Sequence, residues 1–363
     1  MGVKNLMKFI EKHAPSAIKK IRIDQLMGKT IAIDASLQIY QFLVSVRHIG
    51  NQLVDEEGNT TSHLQGILTR TVNFITNGIK PIYVFDGKPP EVKSAELQKR
   101  AERRQEAEAQ LEAAIEAGNE EDINRFSRRT VRMDPQQVEE CKRLLKCMGI
   151  PYVEAPCEAE AECAALCKAG LAEATATEDM DSLAHATPVL IRHIAKPDEI
   201  VSISYEKVLE ETQLTHEQFI DFCILCGCDY TNTIKNIGPK RAYELIKQHK
   251  TIENVVKTID KNKYPVPDDF DYQSARDMFL HHEVVTEGLV FKWGKPNKEE
   301  MIKFLVEEKG FNQGRVESIA QKLIKAKQGG QQTRMDSFFS VMPSAPKKKA
   351  QLPPKKAPKS NKK

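Results

Sequence analysis

Thr30-Ile31-Ala32-Ile33 runs straight into Asp34, a short apolar segment that ends in an acid. Pro81-Ile82-Tyr83-Val84-Phe85 does the same into Asp86-Gly87, and Ala174-Thr175-Ala176-Thr177 into Glu178-Asp179. A fourth run, Ile150-Pro151-Tyr152-Val153, precedes Glu158 and Glu160. Runs this short and apolar read as buried strands. Between them, 36–48, 62–77, 136–148 and 158–169 carry helical periodicity. Strands alternating with helices predict an α/β fold, with a mostly parallel central sheet flanked by helices.

The chain of 363 residues is long enough for one large domain or two modest ones, and 40% hydrophobic residues suffice for a core. No apolar run approaches the ~20 residues of a membrane span. Val3, Leu6, Met7 and Ile10 are interrupted by Lys4 and Lys8, so no signal peptide is expected, and Leu6 stands where a myristoylation motif needs Ser or Thr. Residues 341–363 hold eight lysines and no acid, which leaves residues 1–340 at −5 of the formal net +3. Overall charge therefore does not argue for nucleic acid, and local patches must. Cys223-x-x-Cys226-x-Cys228 has the look of a metal knuckle. It lies within an apolar run and lacks a second Cys/His pair, so it reads as buried thiols in a reducing compartment.

Sites in open parallel sheets form at the carboxyl ends of the strands. Asp34, Asp86 and Asp179 all stand there. Asp181 follows at i+2 and shares a face with Asp179 if the chain stays extended. Glu158 and Glu160 open a helix, and Asp229 closes the apolar run that begins at Phe222. An acid after a strand is often a helix cap. Three strand ends together with two pairs of acids, Glu158/Glu160 and Asp179/Asp181, favour a metal site. Such a cluster cannot ionise fully in a dry pocket without cations, and oxygen-only ligands favour Mg²⁺ or Mn²⁺. Two ions suit phosphodiester hydrolysis without a protein nucleophile. Phosphate-binding glycine loops, G-x-S-x-G and H-E-x-x-H are absent.

Residues 91–132, rich in Glu, Ala, Gln, Lys and Arg, predict an exposed helical insertion. Lys93, Arg100 and Arg104 fall near one helical face, with Arg103 beside them. Residues 205–325 are expected to be mostly helical around a loop at Lys261–Tyr272. Within them Ile237-Gly238-Pro239-Lys240-Arg241-Ala242 opens a helix whose free amides suit a phosphate. Gly227, just before Asp229, would let a DNA backbone come close. From about Lys327 the composition predicts a disordered tail. There Gln332, Met335, Phe338 and Phe339 form a short anchor for a groove. The lysines beyond can attract DNA or direct nuclear import.

Met1-Gly2-Val3, Ala32-Ile33-Asp34-Ala35-Ser36, Val84-Phe85-Asp86-Gly87-Lys88-Pro89-Pro90, Glu158-Ala159-Glu160-Ala161 and Thr177-Glu178-Asp179-Met180-Asp181 resemble the signature blocks of the XPG-type structure-specific nucleases. The likeness is closest to the eukaryotic flap endonucleases and runs through Phe339. It implies a PIN-like nuclease core with a helical arch and a helix–turn–helix. Asp34, Asp86, Glu158 and Glu160 would serve one metal, and Asp179, Asp181 and Asp229 the other. Lys93 and Arg100 would act at the scissile phosphate, Arg47 and Arg70 would contact phosphates, and Tyr40 would stack on a base. Glu158, Gly227 and Asp229 would border the DNA, and Gly238, Lys240 and Arg241 would grip the duplex, with a potassium ion. The tail box would dock onto the sliding clamp, proliferating cell nuclear antigen.

The resemblance further implies cutting of 5′ flaps, weaker 5′→3′ exonuclease action, and roles in Okazaki-fragment maturation and long-patch base-excision repair. Division of the chain follows: 1–105, the N-terminal nuclease half; 106–122, the rest of the arch; 123–254, the internal half with the helix–turn–helix; 255–326, the C-terminal helical part of the core; 327–363, the tail. A monomer without membrane attachment is expected, in the nucleoplasm and nucleolus, and a mitochondrial pool is left open. Cys226, Cys228 and Asn236 depart from the family pattern, the last where Gly is usual, and His193–Ser204 matches poorly. The rivals are a processive 5′ exonuclease, a Holliday-junction or bubble nuclease, and a non-enzymatic scaffold on DNA. The short insertion argues against bubble cutting, and the seven intact acids argue against a scaffold.

Overall fold

The structure is a computed structural model and describes residues 2–47 and 61–336. Its centre is one seven-stranded sheet built from β1 (Ile18–Lys20), β2 (Thr30–Asp34), β3 (Lys80–Phe85), β4 (Tyr152–Glu154), β5 (Ala174–Ala176), β6 (Val189–Arg192) and β7 (Val201–Ser204). The order is β1-β7-β6-β5-β2-β3-β4. The five strands from β6 to β4 run parallel, while β7 is antiparallel to β6 and to β1. Ala32 lies opposite both Ile82 and Thr175, which puts β2 at the middle of the parallel set.

Alternation along β2 and β3 sends side chains into two separate cores. Ile31, Ile33, Tyr83 and Phe85 pack on one face with Phe74 and Leu144, from the helices Ser62–Thr76 and Pro135–Met148. Ala32, Ile82 and Val84 pack on the other with Cys163 and Leu166 of the helix Ala159–Lys168. Strands covered on both faces need apolar residues throughout, which is why β2 and β3 read as unbroken runs. A third core joins the N-terminal helix Leu6–His13 to the helices between Tyr205 and Leu280.

Over 91–132 the insertion forms a hairpin of two helices, Ser94–Glu116 and Glu120–Arg129, with the Asn119 carboxamide capping the second. The two helices bury few side chains: Ala107, Ala114 and Phe126. Among the described residues no helix is long and apolar enough to cross a membrane.

Three expectations change. Residues 281–297 are not helical. They run as a strap in which Trp293 Nε1 donates to the Pro81 carbonyl at 2.9 Å and the Gly294 amide to the Gly149 carbonyl at 2.7 Å. Val284, Val285, Thr286, Gly288 and Pro296 all weaken helix there. The last helix, Gln313–Asp336, continues past Lys327, where Gln328, Gln331, Gln332, Arg334 and Met335 favour helix against Gly329 and Gly330. Finally, β1, β6 and β7 are strands that periodicity did not reveal.

Candidate active site

Asp34 ends β2 and at once opens the helix Ala35–Arg47. Its Oδ1 accepts from the Leu37 amide and its Oδ2 from Thr177 Oγ1, each at 2.9 Å. It is thus both a cap and a member of the cluster. Asp86 follows β3, and its Oδ1 accepts from the Ala159 amide at 2.9 Å. That bond ties it to the helix that carries Glu160. Asp179 and Asp181 are brought together by a turn, not by extended chain. Met180 is already helical and Asp181 starts a four-residue helix, so the Asp181 amide donates to Asp179 Oδ1 at 3.1 Å. The Val3 amide donates to Asp181 Oδ1 at 2.6 Å, so the N-terminal segment reaches the cluster.

The electrostatics are those of crowded, buried carboxylates. Burial first, and the nearby charge of Asp86 second, push Asp34 up to about 7. Glu160 rises well above the carboxylate range through burial and then Asp34, and Asp181 through burial and then Asp179. Burial raises Asp179 as well. Cations from the hairpin meet these acids. Lys93 pairs with Glu158 and lies 3.6 Å from Asp229, and Arg100 pairs with Asp229. Burial alone would lower Lys93, but Glu158, Glu160 and Asp229 outweigh it and raise its affinity for the proton. A cleft of about 760 Å³ opens between hairpin and sheet, lined by Asp34, Tyr40, Asp86, Lys93, Arg100, Arg103, Arg104, Glu158 and Glu160.

This geometry agrees with what comparison finds. Residues 1–107 match the XPG N-terminal domain and 149–229 the XPG I-region. Flap endonuclease 1 of Danio rerio is 52% identical over 354 residues, covering 96% of this chain and 93% of that protein. The chain belongs to the flap endonuclease family. Among solved structures, flap endonuclease-1 from Methanococcus jannaschii is 33% identical, covering 86% of this chain and 96% of its own, with a TM-score of 0.68. The catalytic core of Rad2 in complex with DNA substrate is 25% identical with a TM-score of 0.67, covering 89% of this chain and 99% of its own.

Within this flap endonuclease fold, the other sequence-derived candidates fall at several places. Arg70 donates to the Gln38 carbonyl and to Gln38 Oε1 at 2.6 Å and lies over the Phe42 ring, so its guanidinium ties two helices together. Arg47 ends its helix, and its side chain lies outside the described residues. Gly227 adopts φ 106 after the helix His216–Cys226. A Cβ there would lie 2.6 Å from a Thr233 methyl, so its glycine answers to packing within the protein. Gly238 precedes the helix Pro239–His249 in open space, with Lys240 exposed and Arg241 3.2 Å from Glu244. Asn236 takes φ 64, the left-handed conformation that Asn tolerates after Gly, and its Nδ2 donates to the Lys263 carbonyl at 3.1 Å. Gln332 and Met335 lie in the last helix with side chains outside the described residues, as are Phe338 and Phe339 altogether.

Sequence reasoning missed several residues here. Tyr230 Oη donates to Glu158, and His282 Nε2 lies 3.5 Å from the same carboxylate. Adjacency to Asp229 was the one available signal for Tyr230, and none marked His282. Cys223 and Cys226 are buried and Cys228 is half-buried, all as free thiols.

Proposed function

We propose that this protein is a divalent-metal-dependent 5′-flap endonuclease with weaker 5′→3′ exonuclease activity. Its setting would be Okazaki-fragment maturation and long-patch base-excision repair in the nucleus, tethered to the sliding clamp. The observation that carries the reading is the cleft itself: buried acids on the sheet side, cations on the hairpin side. Family membership and the DNA-bound Rad2 core support it.

The donor set fits Mg²⁺, since it is all oxygen and several of its carboxyls hold protons tightly without a cation. Asp34, Asp86, Glu158 and Glu160 would hold one ion, and Asp179, Asp181 and Asp229 a second. When bound, such ions supply an activated water and neutralise charge at the phosphate. The chain itself does the positioning. Thr177 and the Leu37 amide fix Asp34, the Val3 amide fixes Asp181, and Tyr230 fixes Glu158. Lys93 and Arg100 would donate to the scissile phosphate as its charge develops. Tyr40 offers an aromatic face in the same cleft for a base beside the cut. Open space at Gly238 and the following helix N-terminus give the duplex a phosphate contact.

The test is cleavage of end-labelled 5′-flap, 3′-flap and bubble DNA with Mg²⁺ or EDTA, by the wild type and Asp181→Ala. Mg²⁺-dependent incision at the base of the 5′ flap is expected, with cutting lost and flap binding kept in the variant. Preferential bubble cutting would move the protein to a sister group. Binding without any cutting would leave a scaffold.

A further inference from the structure

Glu158 of the all-oxygen set also forms a second group, with His185 and His282. One ligand atom from each lies within 4.8 Å of the other two, and among the described residues this is the one such His/Cys/Asp/Glu group. Both imidazoles are buried, His185 3% exposed and the His282 side chain 5% exposed. Their ring centroids are 4.6 Å apart, nearly perpendicular. Each ring is held from behind by the same helix end. His282 Nδ1 donates to the Met278 carbonyl, and the His185 ring packs on the Phe279 ring with centroids 5.2 Å apart.

That fixing decides the chemistry. With Nδ1 on the Met278 carbonyl, His282 is held so that Nε2 points to the Glu158 carboxylate. This nitrogen is buried without a hydrogen-bond partner, and what it faces at 3.5 Å is Glu158 Oε2. Glu158 already pairs with Lys93 and accepts from Tyr230, so the ring nitrogen is the unpartnered atom, and its spacing from Oε2 is that of two ligands on one cation. A carbonyl-anchored imidazole is also how metal-binding histidines are usually oriented. We infer that Glu158, His185 and His282 form a binding site for a transition-metal ion of the zinc type, separate from the magnesium set but sharing Glu158 with it. Two imidazoles and one carboxylate are a zinc donor set with an open position, and imidazole nitrogen discriminates against Mg²⁺. Tyr230, which donates to Glu158, orients the shared carboxylate. His185 also closes the short helix that starts at Asp181, its amide donating to the Asp181 carbonyl at 3.0 Å. An ion here engages Glu158 and lowers Mg²⁺-dependent cutting. That consequence rests on the nuclease reading, whereas the metal binding does not.

Equilibrium dialysis of the full chain against Zn²⁺ in millimolar Mg²⁺, and visible absorption with Co²⁺, test the site directly. Wild type is expected to retain one Zn²⁺ per chain and to give the intense absorption of four-coordinate Co²⁺ with nitrogen ligands. His282→Gln and His185→Phe should each weaken Zn²⁺ retention by at least about tenfold, the low end for loss of even a supporting group. His281→Gln, at the exposed neighbour, should not. Circular dichroism checks that the buried His185→Phe variant folds, and His282→Gln carries the test if it does not. Equal Zn²⁺ retention by wild type and both site variants, or complete displacement by Mg²⁺, would overturn the proposal. Zn²⁺ retained by a protein that cuts no flap would instead fault the nuclease reading alone.

Discussion

Gly2 sits at φ 73 against the acids, and a Cβ on it would collide with the carboxylate oxygens of Asp179 and Asp181. Gly2→Ala should therefore disturb the second metal's ligands more than the fold. The expected result is a loss of roughly 1–3 kcal/mol in Mg²⁺-induced stabilisation, read from melting with and without the ion. Asp34 gives a pH signature. Its carboxyl rises from 3.8 to about 7 on folding, so between those values only the folded chain holds the proton. Stability of the metal-free protein should thus fall as pH rises across that window, and saturating Mg²⁺ should flatten the fall. Thermal melts at several pH values, with Mg²⁺ or EDTA, check it. Lys93→Ala should lower single-turnover flap cleavage by about 10²–10³, the usual cost of one donor to developing charge. At this scale Asp34, Asp86, Asp179 and Asp229 were legible because each closes an apolar run, and Glu158, Glu160 and Asp181 because they stand as paired acids beside such a run. Tyr230 and His282 were not, because their partner Glu158 lies far away in sequence and no local pattern encodes the meeting.

Arg276 on the helix Tyr272–Leu280 is a joint between elements. It reaches Asp221 on one helix at 2.7 and 3.0 Å and Glu253 on another at 2.7 and 3.2 Å. Burial holds Asp221 above its usual range even with this partner, so the pair does not fully offset desolvation. Arg276→Met would leave Asp221 buried without its cation and should cost about 3–5 kcal/mol in urea unfolding. Glu253, drawn down to about 2 by Arg276, adds stability that is present above the ordinary carboxyl range and lost as pH falls toward 2. The hairpin of Ser94–Glu116 and Glu120–Arg129 is the opposite kind of element. With so few buried side chains, its amides should exchange hydrogen faster than those of β2 and β3, and flap DNA should slow them. Composition exposed this hairpin plainly, since Glu, Lys, Arg and Ala with few large apolar residues can form helix but little core. The strands β1, β6 and β7 stayed hidden for the converse reason. They have three or four residues each, and β1 is largely exposed at the sheet edge, so burial left no periodicity to read.

Across the whole molecule, the nuclease body and the tail should separate by function. Changing Phe338 and Phe339 together to Ala is expected to abolish stimulation by the sliding clamp and leave basal flap cutting unchanged. Undiminished clamp binding by that variant would show the box misread. The parallel sheet was legible as a whole because its central strands must be apolar on both faces. The strap at 281–297 was not, since the Trp293 indole and the Gly294 amide meet the Pro81 and Gly149 carbonyls, partners far away in sequence that no local pattern encodes. That strap carries one more consequence, for the order in which the chain is made. The Trp293 and Gly294 bonds, and the packing of the last helix on the helix Ser62–Thr76, join the final fifth of the chain to its first half. A nascent chain that has already emerged through Asp229 carries every acid of the cleft yet lacks the cover over β3. Contacts of such long sequence separation form late and slowly, so cutting power should arise only after Trp293, Gly294 and the last helix have been added.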